Sequence, residues 1–139
     1  MSVTRRPLKT TPAAAEPASV SVAVLRELQA FQGTGDAILD ATEELMRALI
    51  ERNSLEPEDM VSCMFTTTED LDAEFPAAAA RRIGLDRVPL MCSREIPVPG
   101  SMPRVIRVML HFYSAPEHET AHVYLGEAQK LRADLEAAQ

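Results

Sequence analysis

Residues 104–113 read RVIRVMLHFY and give the clearest strand signal in the chain. Apolar side chains occupy every second position and form one wholly apolar face, made of Ile106, Val108, Leu110 and Phe112. Arg107 lies on the opposite face between Val105 and Met109, a position that suggests partial burial. Because a buried cation needs a partner, Arg107 either forms a structural ion pair with Glu95 or another carboxylate, or binds an anion.

The elements on either side of this strand predict an α/β fold with one mixed sheet and helices packed on one face. Periodicity gives the order β-α-β-α-β-β-β. Thr34 caps the first helix, and Pro76 begins the second. Exposed strand edges then favour a cyclic oligomer. The expected strands are 20–31, 60–65, 88–92, 104–113 and 122–125; the expected helices are 34–52 and 77–83, with a polar connection at 66–71.

Length and composition indicate a single domain with an aliphatic core. The chain has 139 residues, 4% aromatic residues and no Trp. Residues 1–19 are rich in Pro, Ala, Thr and Ser and are expected to be a disordered N-terminal extension, so the folded domain is expected at 20–139. The two cysteines, Cys63 and Cys92, fit reduced thiols in a cytoplasmic protein. No apolar run approaches the ~20 residues that a membrane span needs.

The net charge of −7 argues against nucleic acid and anionic membrane surfaces as partners. A small anionic substrate would therefore need local arginines to attract it. The histidines do not predict a metal site, because His118 and His122 fall at a turn and a strand start without a further ligand at familiar spacing. The five glycines are scattered, so no phosphate-binding loop or cofactor is expected.

Other candidate residues also have an ordinary structural interpretation. Glu95 is either a surface carboxylate or an acceptor for a substrate hydroxyl, and Cys92 is either a core residue or a weak donor in a pocket. Arg81 suits the C-terminal end of a helix without any function. Arg132 fits a surface charge, and Tyr124 fits a core aromatic residue.

Several segments together resemble the trimeric α/β class of chorismate mutase, often called the AroH class. The order and spacing of these segments make the resemblance specific, and it spans nearly all of residues 20–135. The segments are TTTEDLDAEFPA at 66–77, VPLMCSRE at 88–95, RVIRVM at 104–109, HVYL at 122–125 and LRADL at 131–135, with Ala133 where the family usually has Pro.

This resemblance implies a chorismate-mutase-like pseudo-barrel homotrimer with active sites between subunits and no cofactor. The implied enzyme is an isomerase that converts chorismate, a small dianion, to prephenate by an intramolecular Claisen rearrangement in aromatic amino-acid biosynthesis. Arg107 matches the family's arginine near the ether oxygen of the substrate. Glu95 matches the carboxylate that accepts a hydrogen bond from the ring hydroxyl, and Cys92 matches a thiol in the same region. The implied substrate-binding residues are Arg26, Phe75, Ala77, Arg81, Tyr124, Leu131 and Arg132.

The N-terminal strand departs from the family pattern. The family usually carries Arg-Gly-Ala, whereas this chain has Leu25-Arg26-Glu27-Leu28, and Arg26 matches only with a one-residue shift. Glu27 adds a negative charge near a site for a dianion. Three alternatives therefore stay open: a mutase for an amino or iso analogue of chorismate, a non-catalytic paralogue that binds chorismate or prephenate, and a structural oligomer without a pocket.

Overall fold

The computed structural model describes residues 17–24, 34–128 and 130. Four strands and two α-helices make up the regular structure of these residues. The strands are β1 (Pro17–Val24), β2 (Met60–Thr67), β3 (Leu90–Arg94) and β4 (Ile106–Tyr113), and the helices are α1 (Gly35–Arg52) and α2 (Ala77–Arg82). Short 3-10 turns lie at Pro57–Asp59 and Gly126–Ala128.

Helix α1 forms where its capping residues and its apolar spacing predict it. The hydroxyl of Thr34 accepts a hydrogen bond from the backbone N–H of Ala37. The carboxylate of Asp36 lies in the first turn, where a negative charge interacts favourably with the positive end of the helix dipole. Asn53 ends the helix and is itself buried. The predicted cap at Thr34 and the predicted end of α1 at Arg52 are confirmed, with the helix itself beginning at Gly35, and α2 ends one residue earlier than predicted.

The sheet is mixed and has the strand order β1-β4-β2-β3. Strand β4 pairs antiparallel with β1 and β2, and β2 pairs parallel with β3. The apolar face predicted for β4 is buried with the inward side chains of α1 in one core. Both helices contribute to this core, so the prediction of a mixed sheet with helices on one face is confirmed.

Three strand predictions need correction. Thr66 and Thr67, expected in a polar connection, complete β2 because they pair with β3 on one side and β4 on the other. Strand β3 begins at Leu90 and runs to Arg94, two residues later than predicted at each end, because its partners on β2 lie there. Within 122–125 only Tyr124 makes a single bridge, so the expected last strand is wrong.

The first strand overlaps its prediction in part. Strand β1 begins at Pro17 and therefore includes residues 17–19, and residues 25–31 lie outside the described part of the chain. Arg104 has φ of 55°, a left-handed backbone conformation that regular strands do not contain, so β4 begins only at Ile106.

Candidate active site

Arg107 projects from the face of the sheet on which, among the described residues, no helix packs. Its neighbours Ile106 and Val108 point into the core, and the strand alternation turns the guanidinium the other way. Its side chain is 47% exposed, more than the partial burial that the sequence suggested. The Nε of Arg107 lies 3.1 Å from Oε1 of Glu95, so the ion pair expected between these residues is present.

Glu95 is held from two directions. Its backbone N–H donates to the carbonyl of Thr67 at 2.8 Å, which continues the β2–β3 ladder one residue beyond β3. Its Oε1 accepts a hydrogen bond from the hydroxyl of Thr66 at 2.5 Å in addition to the contact with Arg107. The side chain is 25% exposed, so the carboxylate is partly shielded from water and fixed before any ligand arrives.

A cavity of about 690 Å³ opens beside this ion pair. Arg107 and Glu95 contribute the two charged groups of its wall, and most of the rest comes from the loop between β3 and β4. The lining residues are Thr68, Glu95, Ile96, Val98, Gly100, Ser101, Met102, Pro103, Val105 and Arg107. Arg107 is thus both ion-paired and next to a space large enough for a small molecule, so neither interpretation excludes the other.

Cys92 and Phe75 line a second cavity, of about 400 Å³. None of its lining residues belongs to the first cavity, because Cys92 alternates toward the helix-covered side of the sheet while Thr66 and Arg107 face the other side. Phe75 is 72% exposed, an unusual state for a large aromatic side chain. The structure therefore places Arg107 and Glu95 in one group and Cys92 and Phe75 in another.

The remaining predicted residues take different positions. Ala77 is buried in the main core at the start of α2, and Arg81 is exposed near the end of the same helix. Tyr124 is partly buried against the small cluster of Val105 and Ala128, and Val105 also belongs to the first cavity wall. The residues Arg26, Leu131 and Arg132 lie outside the described part of the chain.

Two residues that sequence analysis did not select belong to this region. Thr66 was expected in a connection, and Arg94 was not considered although it lines the second cavity with Cys92. The signal for Thr66 was present in the β-branched run 66–68, which favours a strand over a turn. For Arg94, the signal was its spacing of two from Cys92, which places both side chains on one face of a strand.

The two thiols differ in their surroundings, and both are free. Cys63 is 2% exposed, and burial raises the pKa of its thiol to about 12, with the nearby Cys92 acting in the same direction. Within the described residues, no group of three His, Cys, Asp or Glu side chains is placed to hold a metal ion. None of the described helices combines the length and apolar character needed to cross a membrane.

Comparison with known proteins gives consistent matches over most of the chain. Residues 26–135 match the family model for chorismate mutase type I. The chain is 51% identical over 110 residues to a chorismate mutase AroH of Thermus thermophilus, and this alignment covers 78% of this chain and 90% of that protein. It is 39% identical over 104 residues to a chorismate mutase AroH of Bacillus subtilis (strain 168), covering 73% of this chain and 82% of that one.

A solved structure gives the same match in three dimensions. A chorismate mutase from Clostridium thermocellum superposes with a TM-score of 0.74 at 39% sequence identity. The superposition covers 80% of this chain and 97% of that chain. The fold described above is therefore the fold of that enzyme over nearly its whole length.

Proposed function

The chain belongs to the chorismate mutase type I family, and we propose that it converts chorismate to prephenate at a site where Arg107 is the principal catalytic residue. As a chorismate mutase it is an isomerase of aromatic amino-acid biosynthesis. The observation that supports the role of Arg107 most directly is its guanidinium, fixed by Glu95 in the wall of the larger cavity.

The reaction needs positioning and charge stabilisation. In a Claisen rearrangement the ether C–O bond breaks while a C–C bond forms in the same molecule, so no atom enters or leaves. Negative charge grows on the ether oxygen in the transition state. A protein can accelerate this step by holding the compact conformer and by placing a fixed cation beside that oxygen.

The contacts of Arg107 fit this task. Only its Nε is used by Glu95, and within the described residues its Nη groups have no hydrogen-bond partner. A guanidinium carries five N–H donors, so the Nη groups stay free to donate to an ether oxygen in the cavity. Loss of one such preorganised donor typically costs about 10²–10³ in rate.

Glu95 and Cys92 are proposed to complete the polar part of the site. Both known partners of Glu95 contact Oε1, which leaves Oε2 available to accept a hydrogen bond from the ring hydroxyl. Cys92 would contribute its thiol from the second cavity. Arg26 and Arg132 are proposed to hold the substrate's carboxylates with Tyr124, and the proposed site walls are Phe75, Ala77, Arg81 and Leu131.

We further propose a homotrimer with active sites between subunits. Two observations support it. Arg107 and Glu95 line one cavity while Cys92 and Phe75 line another, with no lining residue shared, and the sheet face on which no described helix packs exposes apolar side chains. Met64 pairs with Met91 on one side and Met109 on the other, and these three are 36%, 60% and 37% exposed. A neighbouring copy that covers this face would bury them and join the two groups of residues.

The same arrangement would strengthen the electrostatic effect of Arg107 on the transition state. In one chain its side chain is about half exposed, and water weakens the interaction of an exposed cation with a developing charge. A second subunit over the cavity would exclude this water. We also propose a cytoplasmic location, which the two free thiols support.

The test is an ultraviolet assay of chorismate loss by the purified protein and its Arg107→Ala variant. We expect kcat to fall by about 10²–10³ in the variant, because the stabilising cation is lost, while the oligomer stays intact. The matched control is Arg47→Ala, since Arg47 is a 64% exposed helix arginine that pairs with Glu43 on α1. Undiminished turnover by Arg107→Ala would exclude the proposed role.

Substrate identity is tested with the same enzyme preparation. Chorismate and its amino and iso analogues are assayed side by side, and the highest kcat/KM is expected with chorismate. Tight binding of chorismate without turnover would instead indicate a binding paralogue.

A further inference from the structure

We propose that Thr66 is a positioning residue of the active site: its hydroxyl fixes the carboxylate of Glu95, and through it the guanidinium of Arg107. This inference deepens the proposed function, because it rests on the catalytic roles of Arg107 and Glu95. Thr66 itself contacts neither cavity in the described structure.

The contacts form a continuous chain of three side chains. The Thr66 hydroxyl donates to Oε1 of Glu95 at 2.5 Å, and Arg107 Nε lies 3.1 Å from the same oxygen in an ion pair. Thr66 is also the direct cross-strand partner of Arg107 in the β2–β4 pair. The hydroxyl and the guanidinium therefore approach Glu95 from adjacent strands and hold Oε1 between them.

This arrangement leaves one oxygen of Glu95 and most of Arg107 for the substrate. With Oε1 occupied twice, the free lone pairs of the carboxylate are on Oε2, and Arg107 keeps its Nη donors. Without the Thr66 hydroxyl, the carboxylate of Glu95 would be held only by its ion pair with the half-exposed Arg107, and the side chain could rotate. Rotation of Glu95 would also release Arg107, so two catalytic groups would lose their alignment.

Threonine is well suited to this role. Its branched Cβ restricts χ1 in a strand, so the hydroxyl direction is set by the backbone. The strand is ordered by pairing on both sides, with Ser93 of β3 opposite Thr66 and Arg107 of β4 on the other side. Groups supported by a rigid element keep the productive geometry better than groups on a loop.

The experiment compares Thr66→Val with Thr66→Ser. Valine keeps the branched shape and the strand preference but removes the hydroxyl, whereas serine keeps the hydroxyl. We expect Thr66→Val to lower kcat about 10- to 100-fold with a smaller change in KM, and Thr66→Ser to recover most of the loss. Wild-type kcat in Thr66→Val, or no recovery in Thr66→Ser, would overturn the proposal.

A matched control lies on the same strand and the same sheet face. Ser62 contacts Nδ1 of His111 at 3.2 Å, outside both cavities, so Ser62→Ala also removes a hydrogen-bonded hydroxyl from β2. Its kcat is expected to match that of the wild type. An equal loss of kcat in Ser62→Ala and Thr66→Val would show a general weakening of the sheet and contradict the proposal.

A double-mutant cycle tests whether Thr66 acts through Glu95. In a Glu95→Gln background, Thr66→Val is expected to have little further effect on kcat, because the group it positions is already altered. Fully multiplicative effects would refute the proposed coupling. The positioning role of Thr66 can fail while the proposed function stands. If Arg107→Ala is inactive but Thr66→Val is fully active, only the role of Thr66 is refuted.

Discussion

At the residue scale, Arg107 shows how far a sequence can specify a site. The alternation of apolar residues in 104–113 correctly predicted which face of the strand it occupies, and its pairing with Glu95 was among the expected contacts. The sequence could not show that the cation is about half exposed beside a cavity, because the cavity wall comes from the loop at 96–103. The conformation of that loop depends on tertiary contacts rather than on local pattern.

Cys63 gives a prediction at the same scale. Burial raises its pKa from the ordinary value of 9.0 to about 12, so the folded state keeps the proton that the unfolded state releases above pH 9. The stability due to the protonated thiol is therefore complete below pH 9 and is lost as the pH rises toward 12. By pH 10 the loss should be on the order of 1 kcal/mol.

The measurement is the free energy of unfolding of wild type and Cys63→Ala at several pH values from about 8 to 10. The alanine variant is less stable at every pH because of its cavity, but the difference between the two proteins should shrink as the pH rises. If the difference in free energy of unfolding between the two proteins stays constant over this pH range, the raised pKa of Cys63 is contradicted.

At the element scale, the structure agreed with the sequence where local signals act alone. Helix α1 has a cap, an acidic first turn and regular apolar spacing, and all three are local. The strands were less predictable, because a strand ends where its partner ends. Thr66 and Thr67 extend β2 through their pairing with β3 and β4, and 122–125 has strand-like residues but only one bridge.

Asn53 carries the prediction for this scale. Its side chain is 3% exposed and joins the end of α1 to residues 118–121: Nδ2 donates to the carbonyls of Leu49 and Ala121, each at 2.9 Å. Its Oδ1 accepts from the Ala121 N–H at 2.8 Å and lies 3.2 Å from Nε2 of His118. Because Oδ1 can only accept, Nε2 must be the protonated nitrogen of His118.

We expect Asn53→Ala to lower the free energy of unfolding by roughly 2–4 kcal/mol, because the buried amide of Asn53 and its hydrogen bonds to Leu49 and to the partly buried backbone of Ala121 are lost. Urea unfolding at one fixed protein concentration measures this change, since an oligomer's apparent stability depends on concentration. The exposed helix variant Glu51→Ala should stay within about 0.5 kcal/mol of wild type. Equal stability of the two variants would show that the Asn53 contacts contribute little.

At the scale of the whole molecule, the separation of Arg107 and Glu95 from Cys92 and Phe75 into two cavities is the main feature that the sequence could not reveal. Strand periodicity places Arg107 and Cys92 on opposite faces only when the register between β2, β3 and β4 is known. The net charge of −7 also means that attraction of a dianion must be local. The separation of the two cavities is the observation on which the proposed site between subunits rests.

Mixed oligomers test this arrangement. Arg107→Ala disables the first cavity, and Phe75→Asp places a carboxylate in the second cavity, where it would repel a dianion. Each variant alone should be inactive. Co-expression should restore about a quarter of the wild-type activity, because most randomly mixed trimers contain one interface with both halves intact. Separately purified variants, mixed without subunit exchange, serve as the control, and no recovery on co-expression would contradict sites between subunits.

The central claim is that the positive charge at position 107 stabilises the transition state. Arg107→Ala removes the charge together with the side chain and leaves Glu95 without its ion-pair partner, so a neutral isostere is the sharper probe. Citrulline at position 107, introduced by semisynthesis, keeps the shape and the Nε donor but removes the charge. We predict a fall in kcat of about 10²–10³, or about 3–4 kcal/mol, with an unchanged oligomer. A citrulline enzyme that converts chorismate at the wild-type rate would contradict the account.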